Sequence, residues 1–411
     1  MQDDQKQSTA LVETTEKSLV ATQEKPGYWA RVSRRYLWAF RVILILIKIF
    51  AVLFVSLTAT SFSGNGIYYF AKDLSSIAAL AEQDRSMLYY NYGRSAATHA
   101  AFRGGTATVH DRGVEILTAA GEPTLIFERA FASPAICASR NYVLAYDLGG
   151  TAFSLCNAYD ELYRGVTTSP IVYATVTDNG VFAVVTSAVT ENGVYNPSEV
   201  LWYGGNFKLT QRFKRASATT SVSLSADGRY IAILGVSGEG TLLDIYARKS
   251  TEPQASLTFE GFPCAVGFTS SDTVAVLTDA ACHTLRTNGK LYKSVSFNGQ
   301  ALLCYDIDEK AVAIALQTDA VRSQVRLVAC DKKGNVKYEE TKHAEICGLS
   351  LVDRTVWILT PTEATAVDMR RSGAVTGRAA TAAGALGIEG TSREKARVFY
   401  PAYAIEIDVW H

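Results

Sequence analysis

The chain has 411 residues, of which 40 are Lys or Arg and 40 are Asp or Glu, so it carries no formal net charge. That balance excludes nucleic-acid binding driven by a global electrostatic field. Apolar residues make up 48% and charged residues only 19%, and the frequency of Val, Tyr, Thr, Phe, Ala and Gly points to β structure with a large core.

Residues 1–36 read as a cytoplasmic tail. As far as Lys25 it is rich in Thr, Gln, Glu and Lys and lacks aromatics, a composition that stays disordered. Its end is basic, with Lys25, Arg31, Arg34 and Arg35. Residues 37–63 read as a transmembrane signal-anchor helix. The apolar run from Val42 to Ser63 opens VILILIKIFAVLFVSL and, at 1.5 Å per residue, reaches about 33 Å, enough to cross a bilayer. Basic residues precede it and little but Lys72 follows, so the positive-inside rule puts the tail in the cytoplasm and the rest outside the membrane. The polar start is too long for a cleaved signal peptide, and Leu57 spoils the position before Ala59 where a small residue is wanted. Trp29, Tyr36 and Trp38 on one side and Tyr68, Tyr69 and Phe70 on the other resemble interfacial belts.

Lys48 lies inside the run and recurs at a seven-residue spacing with Arg34 and Arg41, placing the three on one helical face. Either it snorkels to lipid phosphates or it pairs with an acidic group in a partner's membrane helix, which makes Lys48 a candidate intramembrane contact. Residues 64–86 form a stalk containing a short helical pattern, LSSIAALAEQ. A stalk this short holds the following domain close above the bilayer.

Residues 87–411 read as one extracytoplasmic β-propeller. From Ala96 the chain cycles with a period of about 40 residues, the signal of a propeller or solenoid. Each cycle holds four short runs of β-formers separated by Gly, Asn, Asp or Ser turns, most clearly SVSLSADG, RYIAILGVSGEG, TLLDIYARKS and PQASLTFEG between Ser221 and Gly261. Blades are expected near 96–132, 133–168, 169–217, 218–260, 261–297, 298–343 and 344–380. The remainder, from Leu386, offers three strands, and MLYYNYG from Met87 to Gly93 supplies the fourth. Closing the ring with one strand from each end removes exposed sheet edges and gives an eight-bladed propeller. A seven-bladed ring is the alternative, because AVTGRAATAAG is a weak strand sequence for the end of blade seven.

The SADGRYIAIL element resembles the turn and second strand of WD-repeat-like, quinoprotein-like and lactonase-like propellers. The wider layout combines a basic inner tail, one helix, a GIYYFAKDL exit and a blade carrying YNPSEVLWY. It is similar to an uncharacterised family of single-pass, membrane-anchored propeller proteins of Gram-positive bacteria. The resemblance implies the fold and the anchor and brings no activity or site residues.

Chemistry-bearing patterns are sparse. The five histidines show no H-x-x-x-H or H-E-x-x-H spacing, and no G-x-S-x-G, Walker or G-x-G-x-x-G motif follows a strand. DIDEK (Asp306–Lys310) lacks the glycine and ligand spacing of a calcium loop and reads as a solvated hairpin turn. Seven cysteines contain no C-x-x-C pair, and Cys137, Cys264, Cys304 and Cys347 recur at similar places in successive repeats, as small buried groups near the crowded centre would. No catalytic, cofactor-binding or metal-ligating residues are assigned, and the protein reads as a non-enzyme. Thr186–Val200 reads as the longest loop, with Glu191, Tyr195, Asn196 and Glu199 as candidate partner-binding residues. The expected function is an envelope scaffold or receptor that binds another envelope or membrane protein and meets the lipid bilayer through its helix. A ligand-binding sensor is the second reading and a propeller hydrolase or dehydrogenase the third.

Overall fold

The computed structural model describes residues 36–49, 52, 68–69, 87–89, 97–191, 194–318, 324–371 and 373–409. The chain divides into two compact units, residues 1–60 and 61–411. In the first, residues 36–49 are α-helical, and Trp38, Ile45, Ile47 and Lys48 are exposed. Among the described residues no helix is long and apolar enough to cross a membrane. The rest of the expected span, apart from Val52, and the helical pattern of the stalk lie outside the described residues.

The second unit holds eight four-stranded antiparallel sheets. Seven are continuous in sequence, running from Ala97–Glu128, Pro134–Val166, Ile171–Arg215, Thr219–Phe259, Pro263–Ser296, Ala301–Lys342 and Gly348–Ala380. The eighth takes Gly387–Gly390, Lys395–Phe399 and Tyr403–Asp408 from the C-terminal end and Met87–Tyr89 as its outer strand. Met87 pairs opposite Ile405 and Tyr89 opposite Tyr403. Eight blades, not seven, close the ring. The weak sequence at the end of blade seven is a strand after all, Ala374–Ala380. Its small residues answer a packing demand: a Cβ on Gly377 would stand 2.4 Å from Val409 of the next blade.

In each blade the first strand lies innermost and the fourth outermost. The turns between first and second and between third and fourth strands share one face of the ring, and the remaining connections share the other. Seven of the gaps between neighbouring blades are filled by large clusters of apolar residues alternating along the strands. Val109 and Val114 of blade one meet Val143 and Ala145 of blade two, and Phe182 and Tyr203 of blade three, stacked 4.4 Å apart, cover Phe153 of blade two. At about 1.5–3 kcal/mol per buried large side chain, these gaps carry most of the fold's stabilisation.

The seam between blades eight and one is different. Among the described residues its apolar cluster comprises Phe399 and Ala404, with Ala101 against them. Arg397, 1% exposed, takes up the remaining space. Its guanidinium donates to the Gly104 carbonyl at 2.7 Å and the Thr106 hydroxyl at 3.1 Å, and it meets Glu406 at 3.3 Å. His99 of blade one stacks on Phe399 with centroids 6.4 Å apart. One buried cation thus does at the seam what a cluster of aliphatic side chains does elsewhere.

Two outcomes follow for closure. Deleting Met87–Gly93 exposes the Tyr403–Asp408 edge, so the full chain should lose thermal stability and self-associate by size exclusion; an unchanged monomer would contradict the pairing. Arg397→Ala strips the seam of its charge partner and should cost about 3–5 kcal/mol in denaturant unfolding, whereas a loss under 1 kcal/mol would show the guanidinium to be dispensable.

Candidate functional site at the central channel

The inner edges of the first strands cannot pair with another sheet, so their N–H groups need other acceptors. Four of them are met by side chains of the preceding blade at one recurring register. Ser223 of blade four accepts from the Phe268 amide at 3.2 Å, and Asp306 of blade six accepts from Leu351 at 2.7 Å. Ser350 of blade seven accepts from Gly390 at 2.9 Å, and Glu389 of blade eight accepts from Ala101 at 2.6 Å. Blade five breaks the series with Gly267, where a Cβ would stand 2.4 Å from Ile307. All four stitch the blades together, and Ser223, Asp306 and Glu389 also line the channel.

The channel has a volume of about 1320 Å³ and is bounded by first strands and first turns of all eight blades. Its wall presents Tyr173, Ser221, Tyr305, Asp306 and Glu389, and its mouth presents Arg103, Arg140, Asp308, Lys310 and Asp353. Burial pushes the Asp306 carboxyl up to about 6 and the Glu389 carboxyl up to about 7. The charge of Asp306 adds to the rise at Glu389, while the Ala101 amide opposes it. At the mouth Lys310, at 2.7 Å, and Arg393 hold Asp353 down at about 2. The wall therefore offers protonatable carboxyls and phenols at neutral pH, a setting for hydrogen bonds to a polar ligand.

The residues singled out in the sequence fall elsewhere. Thr186–Val200 is not a loop. The second and third strands of blade three run from Phe182–Glu191 and Val194–Tyr203, and they stay paired as far as Glu191 opposite Val194. The Asn192-Gly193 dipeptide between them is a favoured two-residue hairpin sequence and was the signal for this. Glu199 is 1% exposed and meets Arg212 at 3.3 Å, which places it inside the blade and away from any free surface. Asn196 is half-buried on the same strand; the side chains of Glu191 and Tyr195 lie outside the described residues.

Asp306, read as part of a solvated turn, belongs to the first strand of blade six, and the turn begins only at Asp308. Its signal was the polar residue recurring near the end of first strands, as in SVSL, CYDI, GLSL and GIEG. No disulfide joins the seven cysteines, and burial raises the thiols of Cys137, Cys264, Cys304 and Cys347 above their ordinary range, so they stay protonated and unreactive. Among the described residues no group of three His, Cys, Asp or Glu side chains could hold a metal ion.

The raised carboxyls give stability a pH dependence of known sign. Glu389 holds its proton more tightly folded than unfolded, so its contribution is complete below pH 4.5 and is lost as pH rises through about 7. His99 acts oppositely: burial lowers it to about 4, so its contribution is complete above pH 6.5 and is lost as pH falls through about 4. Glu389→Gln keeps an acceptor for Ala101 and cannot ionise. Compared with the parent, it should gain on the order of 2 kcal/mol on moving from pH 5 to pH 8, a figure discounted for water in the channel. A pH-independent difference between the two in denaturant unfolding would show that Glu389 does not titrate there.

Residues 88–243 match a family described as "Family of unknown function (DUF5711)". No curated protein matches the chain. Among solved structures, Sqt1 of Saccharomyces cerevisiae superposes with a TM-score of 0.56 at 10% identity, covering 80% of this chain and 99% of its own. The dihydro-heme d1 dehydrogenase NirN in complex with DHE superposes with a TM-score of 0.51 at 13% identity, covering 71% of this chain and 67% of its own. At such identities the likeness is one of fold, and the chain is a β-propeller of unknown function.

Proposed function

We propose that this propeller is a binding platform tethered to a membrane, with residues 1–36 as a cytoplasmic tail, 37–63 as the anchor helix, 64–86 as a stalk and the ring outside. Its partner is another envelope or membrane protein. One observation carries the binding role. In blade three the first strand pairs only as far as Thr186, and the fourth strand only as far as Ser198. Ser187 still donates its amide to the Pro170 carbonyl at 2.8 Å, and the Ala188 carbonyl accepts from the Ser169 hydroxyl at 3.4 Å. Residues 189–191 and 194–197 therefore form a two-stranded arm beyond the four-stranded sheet, with strand edges on both sides. Open edges of this kind add a partner's strand through backbone hydrogen bonds, and alternate side chains select it. The anchor rests on the apolar run and the basic residues before it.

A ligand sensor is the second reading, favoured by Asp306 and Glu389 in the channel wall. The two readings separate by whether the full chain captures a folded protein or a small polar molecule.

A photo-crosslinking residue at position 195 in wall-stripped cells should give a discrete adduct with one protein. Replacing residues 189–196 by Asn-Gly should abolish partner capture while changing stability by no more than about 0.5 kcal/mol. Capture unaffected by the shortened arm would remove the arm from the interface. In the same cells, external protease should reach the ring and spare the tail; the reverse pattern would invert the topology.

A further inference from the structure

Although the whole chain is charge-balanced, one recess is not. Between blades six and seven lies a cavity of about 720 Å³ lined by Lys310, Lys332, Lys333, Lys337, Arg354 and Arg370. Among the described residues Asp331 is the one carboxylate on its wall, and it is committed to its own turn. It accepts from the backbone amides of Lys333 at 2.9 Å and Asn335 at 3.0 Å and from the Asn335 side chain at 3.1 Å, with Lys337 3.6 Å away.

The cations differ in how they are held. Lys310 is fixed by Asp353 at 2.7 Å, and Arg370 by the Asp353 carbonyl at 2.6 Å and by Asp368 at 3.6 Å. Lys333 lies 5.9 Å over the Tyr292 ring. Lys332, Lys333 and Arg354 have no ion-pair partner among the described residues. Like charges crowded without counter-charge repel one another, and an anion between them relieves that cost.

The backbone supplies an independent sign. Asp353 and Arg354 form the turn between the first two strands of blade seven, with φ of +45° and +66°. Two consecutive left-handed residues are the conformation for which Asn-Gly is favoured, and side chains there are strained. The strained pair places Asp353 where it fixes Lys310 and Arg370, and it places Arg354 on the recess wall. The turn gives up backbone comfort to keep these cations together.

We propose that this recess binds a phosphate-bearing anion. Ammonium and guanidinium groups converging on a cavity of this size match a doubly charged group with several acceptor oxygens. The recess lies among first-to-second and third-to-fourth turns, and the chain enters the closing strand at Met87 from that same face, since Met87–Tyr89 runs antiparallel to Tyr403–Asp408. The phosphate can come from a lipid headgroup or from a soluble molecule. The lipid source rests on the tether proposed above; the phosphate chemistry does not.

The test uses the full chain in nonionic detergent at low salt, titrated by calorimetry with inorganic pyrophosphate, with citrate and with micelles carrying phosphatidylglycerol. Saturable binding of pyrophosphate, of the anionic micelles or of both is expected. It should weaken at least tenfold in Lys332→Glu/Arg354→Glu and should be unchanged in Arg248→Glu/Lys249→Glu, which reverses cations on the same face outside the recess. Arg354→Gly relaxes the turn, so it should weaken binding while holding or raising the melting temperature, an outcome a purely structural arginine would not give. Binding of the micelles alone assigns a lipid headgroup, and binding of pyrophosphate assigns a free phosphate. Citrate bound as tightly as pyrophosphate, equal weakening by the control pair, or no saturable binding of either phosphate source would overturn the proposal.

Discussion

Everything in this ring depends on the seam between blades eight and one. A propeller blade buries its two faces only against neighbours, so a ring with one loose joint exposes two faces at once. Among the described residues that joint has the smallest apolar cluster, Phe399 and Ala404 with Ala101 against them. Arg397 ties blade eight to Gly104 and Thr106 of blade one, Glu389 ties it to Ala101, and Met87–Tyr89 completes its sheet. A buried guanidinium offers less net stabilisation than packed aliphatics, yet it fixes one geometry through directional hydrogen bonds. Sequence-distant ends of the domain are thereby brought to a single register.

The same economy shapes the channel. The first strands could have left their inner N–H groups to water, but Ser223, Asp306, Ser350 and Glu389 take four of them. Two of these are carboxyls in a poorly solvated wall, which is why their proton affinities rise. Groups placed for architecture thus create a chemically distinctive cavity. A ligand in the channel would contact residues that also hold blades together, so binding there and ring stability are linked.

Much of the architecture was legible because propeller blades are local. The repeat, the strand runs and the three-strand remainder at Leu386 all lie in continuous sequence, and so the eight blades could be placed from it. The outer strand of blade seven looked weak because Gly377 is chosen for contact with Val409, a constraint invisible within its own segment. Thr186–Val200 was misjudged by weighting Asn, Pro and Gly as loop formers, although Asn192-Gly193 favours a tight hairpin and the flanks suit strands. Glu199 was taken for a surface group because nothing local shows its pairing with Arg212. The channel carboxyls and the basic recess were less legible still, since each is assembled across blades.

The pairing of Met87–Tyr89 with Tyr403–Asp408 closes the ring. Residue-resolved hydrogen exchange of the full chain tests it most directly. Amides of Met87–Tyr89 and of the facing positions in Tyr403–Asp408 should exchange as slowly as those in the middle of blade seven, and they should be lost together in a single cooperative opening. If Met87–Tyr89 exchange at the rate of an unstructured peptide while the other blades stay protected, the ring is closed without that strand and the account of the seam is wrong.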